Sequence, residues 1–267
     1  MHPRRIESFG DEARALNYTV APGVSLLRGV TGPLLDAGFQ AATLRFSGAS
    51  VSPFRYVMPD HAKDASHVAY FSAPRAPVGT TRIERAGATF GFHLGQPFLH
   101  CHAVWIEPDG QRRGGHILND ETILTSAVEI AAFGFSKTRI ETAEDPETNF
   151  SLLRPCGEST PGANAVLARV RPNEDITAAV EAIARAHEIP NAAIVGSVGS
   201  LIGTRFDDGR EVTDHATEVL ITGGEVRNGI ATIELISVDM AGRAHAGRLA
   251  RDADPVCITF DIVMMRR

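Results

Sequence analysis

The 267-residue chain carries an internal repeat, and a chain built twice from one unit has few folds open to it. Displaced by 150 positions, Pro22 falls on Pro172, Val30 on Val180, Ala42 on Ala192, Ser47 on Ser197, Ser50 on Ser200 and Arg55 on Arg205. Both windows read as a Pro-initiated helix, an apolar strand and a small-residue turn. In the second window Asn173, Glu174 and Asp175 supply capping and first-turn acids, and Ile176, Val180 and Ile183 recur at helical spacing. Ala192–Ser200 follows as strand and turn, the counterpart of Ala42–Ser50. Further along, the displacement is 132: Phe98 meets Ile230, Val104 meets Ile236, Glu107 meets Asp239, Gly110 meets Gly242, Gly115 meets Gly247, Asp120 meets Asp252 and Glu129 meets Asp261. Two strands joined at Pro108–Gly110 or Met240–Gly242 fit these windows as hairpins.

The change from 150 to 132 leaves 18 extra residues in the first copy, between Tyr56 and Phe98. They fall in Val57–Ser72 and the Pro-rich Ala73–Gly79, with the composition of a surface loop. Residues 141–159 are acidic and turn-rich and read as a linker. The expected organisation is one unit over 20–140, with insertion, and a second over 160–267.

Composition narrows the function. A net charge of −6, with neither half basic, lacks the stripe of Lys and Arg that phosphate neutralisation demands, which argues against a nucleic-acid partner. The three cysteines are far apart and without Cys-x-x-Cys spacing, so neither a disulfide scaffold nor a thiolate zinc site is expected, and a reducing cytoplasm suits them. No apolar run reaches the roughly 18 residues of a membrane span, and the start shows no signal-peptide core. Walker A, dinucleotide-binding and Gly-x-Ser-x-Gly motifs are absent, and Gly196–Gly203 lacks the Lys-Ser/Thr of a phosphate loop.

The chemistry concentrates in histidines. Phe98–Ile106 reads as a strand, where residues i and i+2 share a face, so His100 and His102 project together. The hairpin partner beginning near Arg112 returns His116 to their neighbourhood, and Gly114 and Gly115 permit close backbone approach. Three imidazoles converging from paired strands form the ligand set of an open zinc site that keeps a position for water or substrate. At the 132 displacement these histidines become Thr232, Glu234 and Arg248, so the fold itself does not require them. Cys101, alternating to the opposite face, belongs in the core.

Pro97–His102, the turn at Asp109 and Gly110, Gly114–His116 and Ala127–Glu129 together resemble the plants-and-prokaryotes-conserved (PPC) domain, and the helix and Ala192–Ser200 segment of the second copy look like its N-terminal half. The resemblance implies tandem α+β domains, each with a mainly antiparallel sheet and a packed helix, and assembly into homotrimers. It carries the family histidines onto His100, His102 and His116 alone. Plant members join this domain to an AT-hook, whose Arg-Gly-Arg-Pro core is missing from this chain.

The expected protein is a cytoplasmic metal-dependent lyase or hydrolase for a small organic substrate, carboxylated or not. A divalent metal, zinc by ligand type, is expected at the three histidines. His61, His67 and Tyr70 of the insertion, with Glu129, are the candidate proton-transfer groups, and Lys63, Arg112 and Arg113 the candidate substrate contacts. The competing reading is a non-catalytic ligand-binding or assembly protein with a structural metal.

Overall fold

A computed structural model describes residues 2–196 and 198–267. The repeat becomes two mainly antiparallel sheets of one topology. The main strands of the first half are β1 (Ile6–Asp11), β2 (Ala13–Val20), β3 (Ala41–Phe46), β4 (Thr81–His93), β5 (Gln96–Ile106), β6 (Arg112–Ile117), β7 (Val128–Phe135), β8 (Arg139–Asp145) and β9 (Phe150–Cys156). Those of the second are β10 (Ala165–Val170), β11 (Ala192–Gly196), β12 (Val198–Leu201), β13 (Thr217–Arg227), β14 (Ile230–Val238), β15 (Ala244–Arg248) and β16 (Val256–Arg266). The first sheet runs β2-β7-β3-β4-β5-β6 and the second β10-β16-β11-β13-β14-β15, the same order strand for strand. β1 crosses over and pairs with β10, so the first strand of the chain edges the second sheet.

Helix α1 (Leu26–Asp36) and helix α2 (Ile176–Ala186) begin and end 150 residues apart. Their first turns are held by side-chain caps, Ser25 accepting from the Arg28 N–H and Asp175 from the Ala178 N–H. The expected periodicity is the observed one: Ile176, Val180 and Ile183 are buried in the second core, as Leu26, Val30 and Leu34 are in the first.

The expectation of an α+β class is corrected. Two eleven-residue helices among the described residues stand against long strands throughout, and the protein is predominantly β. Strands outside the repeat windows account for much of the difference. Residues 141–159, expected as a linker, form most of the β8–β9 hairpin, and β1 and most of β2 precede residue 20.

The two sheets pack face to face. Val104 of β5 meets Val198, Leu220, Ile236 and Val238 of the second half in one apolar cluster. Gly114 permits the approach, because a Cβ there would stand 2.5 Å from Val238 Cγ2, and its N–H donates to the Gly242 carbonyl at 2.9 Å. The motif glycine therefore serves the contact between halves. Among the described residues no helix is long and apolar enough to cross a membrane.

Candidate metal centre between the two sheets

β5 and β6 pair in the register that sets His116 opposite His102. With His100 two residues along β5, the alternation of the strand puts all three rings on the face turned toward the second sheet. Ring centroids lie 4.7 Å apart for His100–His102, 5.3 Å for His100–His116 and 5.4 Å for His102–His116. One ligand nitrogen from each ring falls within 4.8 Å of the others. Cys101, as expected, is buried in the core on the opposite face.

The second half fixes the tautomers. His102 Nδ1 lies 2.9 Å from the carbonyl of Val219, which can only accept, so the proton resides on Nδ1 and the neutral ring presents a bare Nε2. His100 Nδ1 faces Asp261 Oδ2 at 3.3 Å, which fixes that ring the same way. The two Nε2 atoms then meet at 3.1 Å, a geometry that repels between lone pairs and needs a cation or a proton between them. His116 Nδ1 is buried without a hydrogen-bond partner among the described residues. Burial, reinforced by the charges of His100 and His116, holds His102 well below the usual imidazole range; burial and then His100 lower His116 to about 3. Neutral imidazole is the ligand form, and these residues fit a divalent ion.

The rings form part of the wall of a cavity of about 220 Å³, smaller than most drug-sized sites. Phe71, Phe98, Phe150, Leu153 and Ile258 make it apolar, while Tyr70, Ser200, Thr217, Glu218 and Thr259 bring polar groups. The insertion contributes directly: Phe71 packs its ring 5.4 Å from that of His116, and Pro59, Ala69 and Tyr70 line the same space.

The other expected site residues separate. Tyr70 reaches the cavity. His67 is not part of its lining and packs against Tyr70 and Phe150, with its Nε2 3.2 Å from the Asn149 carbonyl. His61 is exposed and stacks on His215 at 6.2 Å, and Lys63 is exposed on the same loop. Arg112 is four positions from His116, about 13 Å along the strand, and is bound to Glu84 at 2.6 Å. Arg113 is spent on Glu107, 3.5 Å away, and Gln111. Glu129 is exposed on β7, three strand spacings or roughly 14 Å from β5, where it lines a separate groove of about 790 Å³ with Arg45 and Arg85. That groove is larger, but the converging imidazoles lie in the smaller cavity.

Glu218 and Asp261, both from the second half, escaped the sequence reasoning as site residues. Glu218 is 4% exposed, its Oε1 lies 4.0 Å from His102 Nε2, and its Oε2 has no hydrogen-bond partner among the described residues. Burial raises its pKa well above the ordinary carboxylate value. Asp261 had a signal, since it matches Glu129 at the 132 displacement; Glu218 had none, because no motif surrounds it.

No family model matches the chain, and no curated protein matches it. Among solved structures it is similar to a metal-containing protein of Archaeoglobus fulgidus, with 20% identity over 55% of this chain and 97% of that one and a TM-score of 0.44. It is also similar to a plant- and prokaryote-conserved (PPC) protein of Pyrococcus horikoshii, with 15% identity over 53% and 94% and a TM-score of 0.42. A hypothetical protein of Salmonella enterica shows 14% identity over 57% and 99%, at 0.44.

Proposed function

We propose that the chain is a metal-dependent enzyme, a hydrolase or lyase, acting on a small organic substrate in the cavity between the sheets. The observation that carries this reading is the convergence of three imidazoles, two with their Nε2 atoms 3.1 Å apart, on a mainly apolar cavity. A divalent ion there would supply Lewis-acid chemistry, polarising a substrate oxygen or lowering the pKa of water towards about 7. The residues do the rest. Val219 and Asp261 keep His102 and His100 in the ligating tautomer. The aromatic walls exclude water and enclose the apolar part of the substrate, while Ser200 and Thr259 offer hydroxyls to its polar part. Of the insertion's candidate proton-transfer groups, Tyr70 lines the cavity, and in this reading it exchanges a proton with the substrate. Among the described residues no Lys or Arg lines the cavity, which favours a neutral substrate with one oxygen to polarise over a carboxylate that needs its own cation. We propose further that the protein is a cytoplasmic homotrimer.

The test is turnover of a panel of small esters, lactones, amides and hydroxy-carbonyl compounds by metal-replete protein. Turnover should be abolished by chelator and by His116→Ala, with the circular dichroism of the variant unchanged. Turnover that survives His116→Ala, or an inert metal-replete protein across the panel, would defeat the reading.

A further inference from the structure

The second half of the chain lacks the histidines, yet it presents an acid to those of the first half. We propose that Glu218 is a fourth ligand to an ion held by His100, His102 and His116, so that one ion is bonded by both halves of the chain. This rests on the three-histidine reading above.

Three observations support it. The first is position: Glu218 Oε1 stands 4.0 Å from His102 Nε2. Two ligand atoms each roughly 2.0–2.2 Å from one ion sit roughly 3–3.5 Å apart at adjacent sites, so a side-chain rotation closing about 0.5–1 Å completes the contact. The second is the missing counter-charge. Glu218 is buried, its Oε2 is unpaired, and no Lys or Arg of the described residues forms an ion pair with it. A carboxyl removed from water in this way is ionised only beside a cation, and a metal ion bonded to the adjacent imidazoles is the one the site can hold. The third is the scaffold. Glu218 pairs with Ser200 on β12 and Val238 on β14, in the middle of the second sheet. Its neighbour Val219 accepts from His102 Nδ1. One two-residue stretch of β13 thus orients a histidine ligand and presents the acid beside it.

The ligand set becomes three nitrogens and one oxygen. In a tetrahedral ion all positions would be filled, as in a structural site, whereas a five- or six-coordinate ion keeps room for substrate. For an enzyme, the inference therefore points to a divalent ion such as Mn²⁺, Fe²⁺, Co²⁺ or Ni²⁺ over tetrahedral zinc.

The experiment titrates metal-stripped full-length protein with Co²⁺ against a competing chelator, recording the visible ligand-field spectrum and the melting temperature. Glu218→Gln should bind Co²⁺ at least tenfold more weakly, equivalent to about 1.4 kcal/mol, with an altered spectrum and a smaller Co²⁺-induced rise in melting temperature. Glu218→Asp, which keeps the charge but shortens the reach, should fall between the two and decides the matter should Glu218→Gln not fold. Affinity within twofold of the parent and an unchanged spectrum in the folded variant would overturn the proposal. His116→Ala serves as the separate control: parental affinity in that variant would instead overturn the three-histidine centre itself.

Discussion

Asp145→Asn is the substitution that most sharply tests how the two halves are held together. Asp145 ends β8, in the hairpin attached to the first sheet, and its Oδ2 accepts from Arg171 Nη1 at 2.7 Å and from Arg169 Nη2. Both arginines lie on or just beyond β10, at the start of the second sheet, and their exposures of 0% and 1% match the 2% of Asp145. Glu7 of β1 is the only other acid paired with them among the described residues, 3.6 Å from Arg169 and 3.5 Å from Arg171, and it also holds Arg154. The asparagine keeps the shape but removes the charge, leaving two buried guanidinium groups against one shared carboxylate. Breaking a buried pair on one side costs about 3–5 kcal/mol because the partner's desolvation is no longer offset. At roughly 2–4 °C per kcal/mol for a chain of this size, the melting temperature should fall by about 6–20 °C. Urea unfolding and calorimetry of parent and variant measure this. The pH dependence gives a second check. Burial alone would raise the Asp145 pKa, but the Arg169 hydrogen bond and the arginine charges outweigh it and hold it low. Its contribution is therefore present above the unfolded value near 4 and lost as pH falls below it, so the variant should lose less stability between pH 5 and 3 than the parent. A loss under about 1 kcal/mol at pH 7 would show that the network behaves like surface pairs and would refute the reasoning.

Two further outcomes follow from the packing. Asp254 is raised to about 6 by burial, with the Asp175 charge adding, against the hydrogen bond from the Arg205 N–H. The folded state thus binds the proton more tightly than the unfolded one, and Asp254 costs stability progressively as pH rises from about 4 through 6. Asp254→Asn should accordingly gain stability relative to the parent as pH is raised from 4 to 8, and a pH-independent difference in urea midpoints would contradict this. Gly114→Val places a side chain where even a Cβ meets Val238 at 2.5 Å and the Ala103 carbonyl at 3.1 Å. The overpacking should cost about 1–3 kcal/mol, and parental stability in thermal melts would show that the sheets are not in close contact there.

The repeat was legible because each copy reuses one pattern of turns and apolar positions. The 150 displacement read from Val30 and Val180 reappears as the bounds of both helices, and the 132 displacement of Gly110 and Gly242 as two hairpin turns with positive φ. The histidine cluster was legible for a local reason: strand alternation and one hairpin register suffice to bring His100, His102 and His116 together. The contribution of the second half was not. Glu218 and Asp261 reach the histidines only through the packing of one sheet on the other, which no local spacing encodes. The same blindness misplaced Glu129, adjacent to the motif in sequence but three strands away in the sheet. The fold class erred because helix signals are conspicuous, while the strands at 6–20 and 139–156 lie outside the repeated windows.

The central claim is tested most directly by counting metal in the full-length protein after expression in metal-replete medium. Elemental analysis should return about one divalent transition-metal ion per chain, since only the first half carries the histidines, and His102→Ala together with His116→Ala should bring it close to zero. Two ions per chain, none in the parent, or an undiminished content in the double variant would contradict the account.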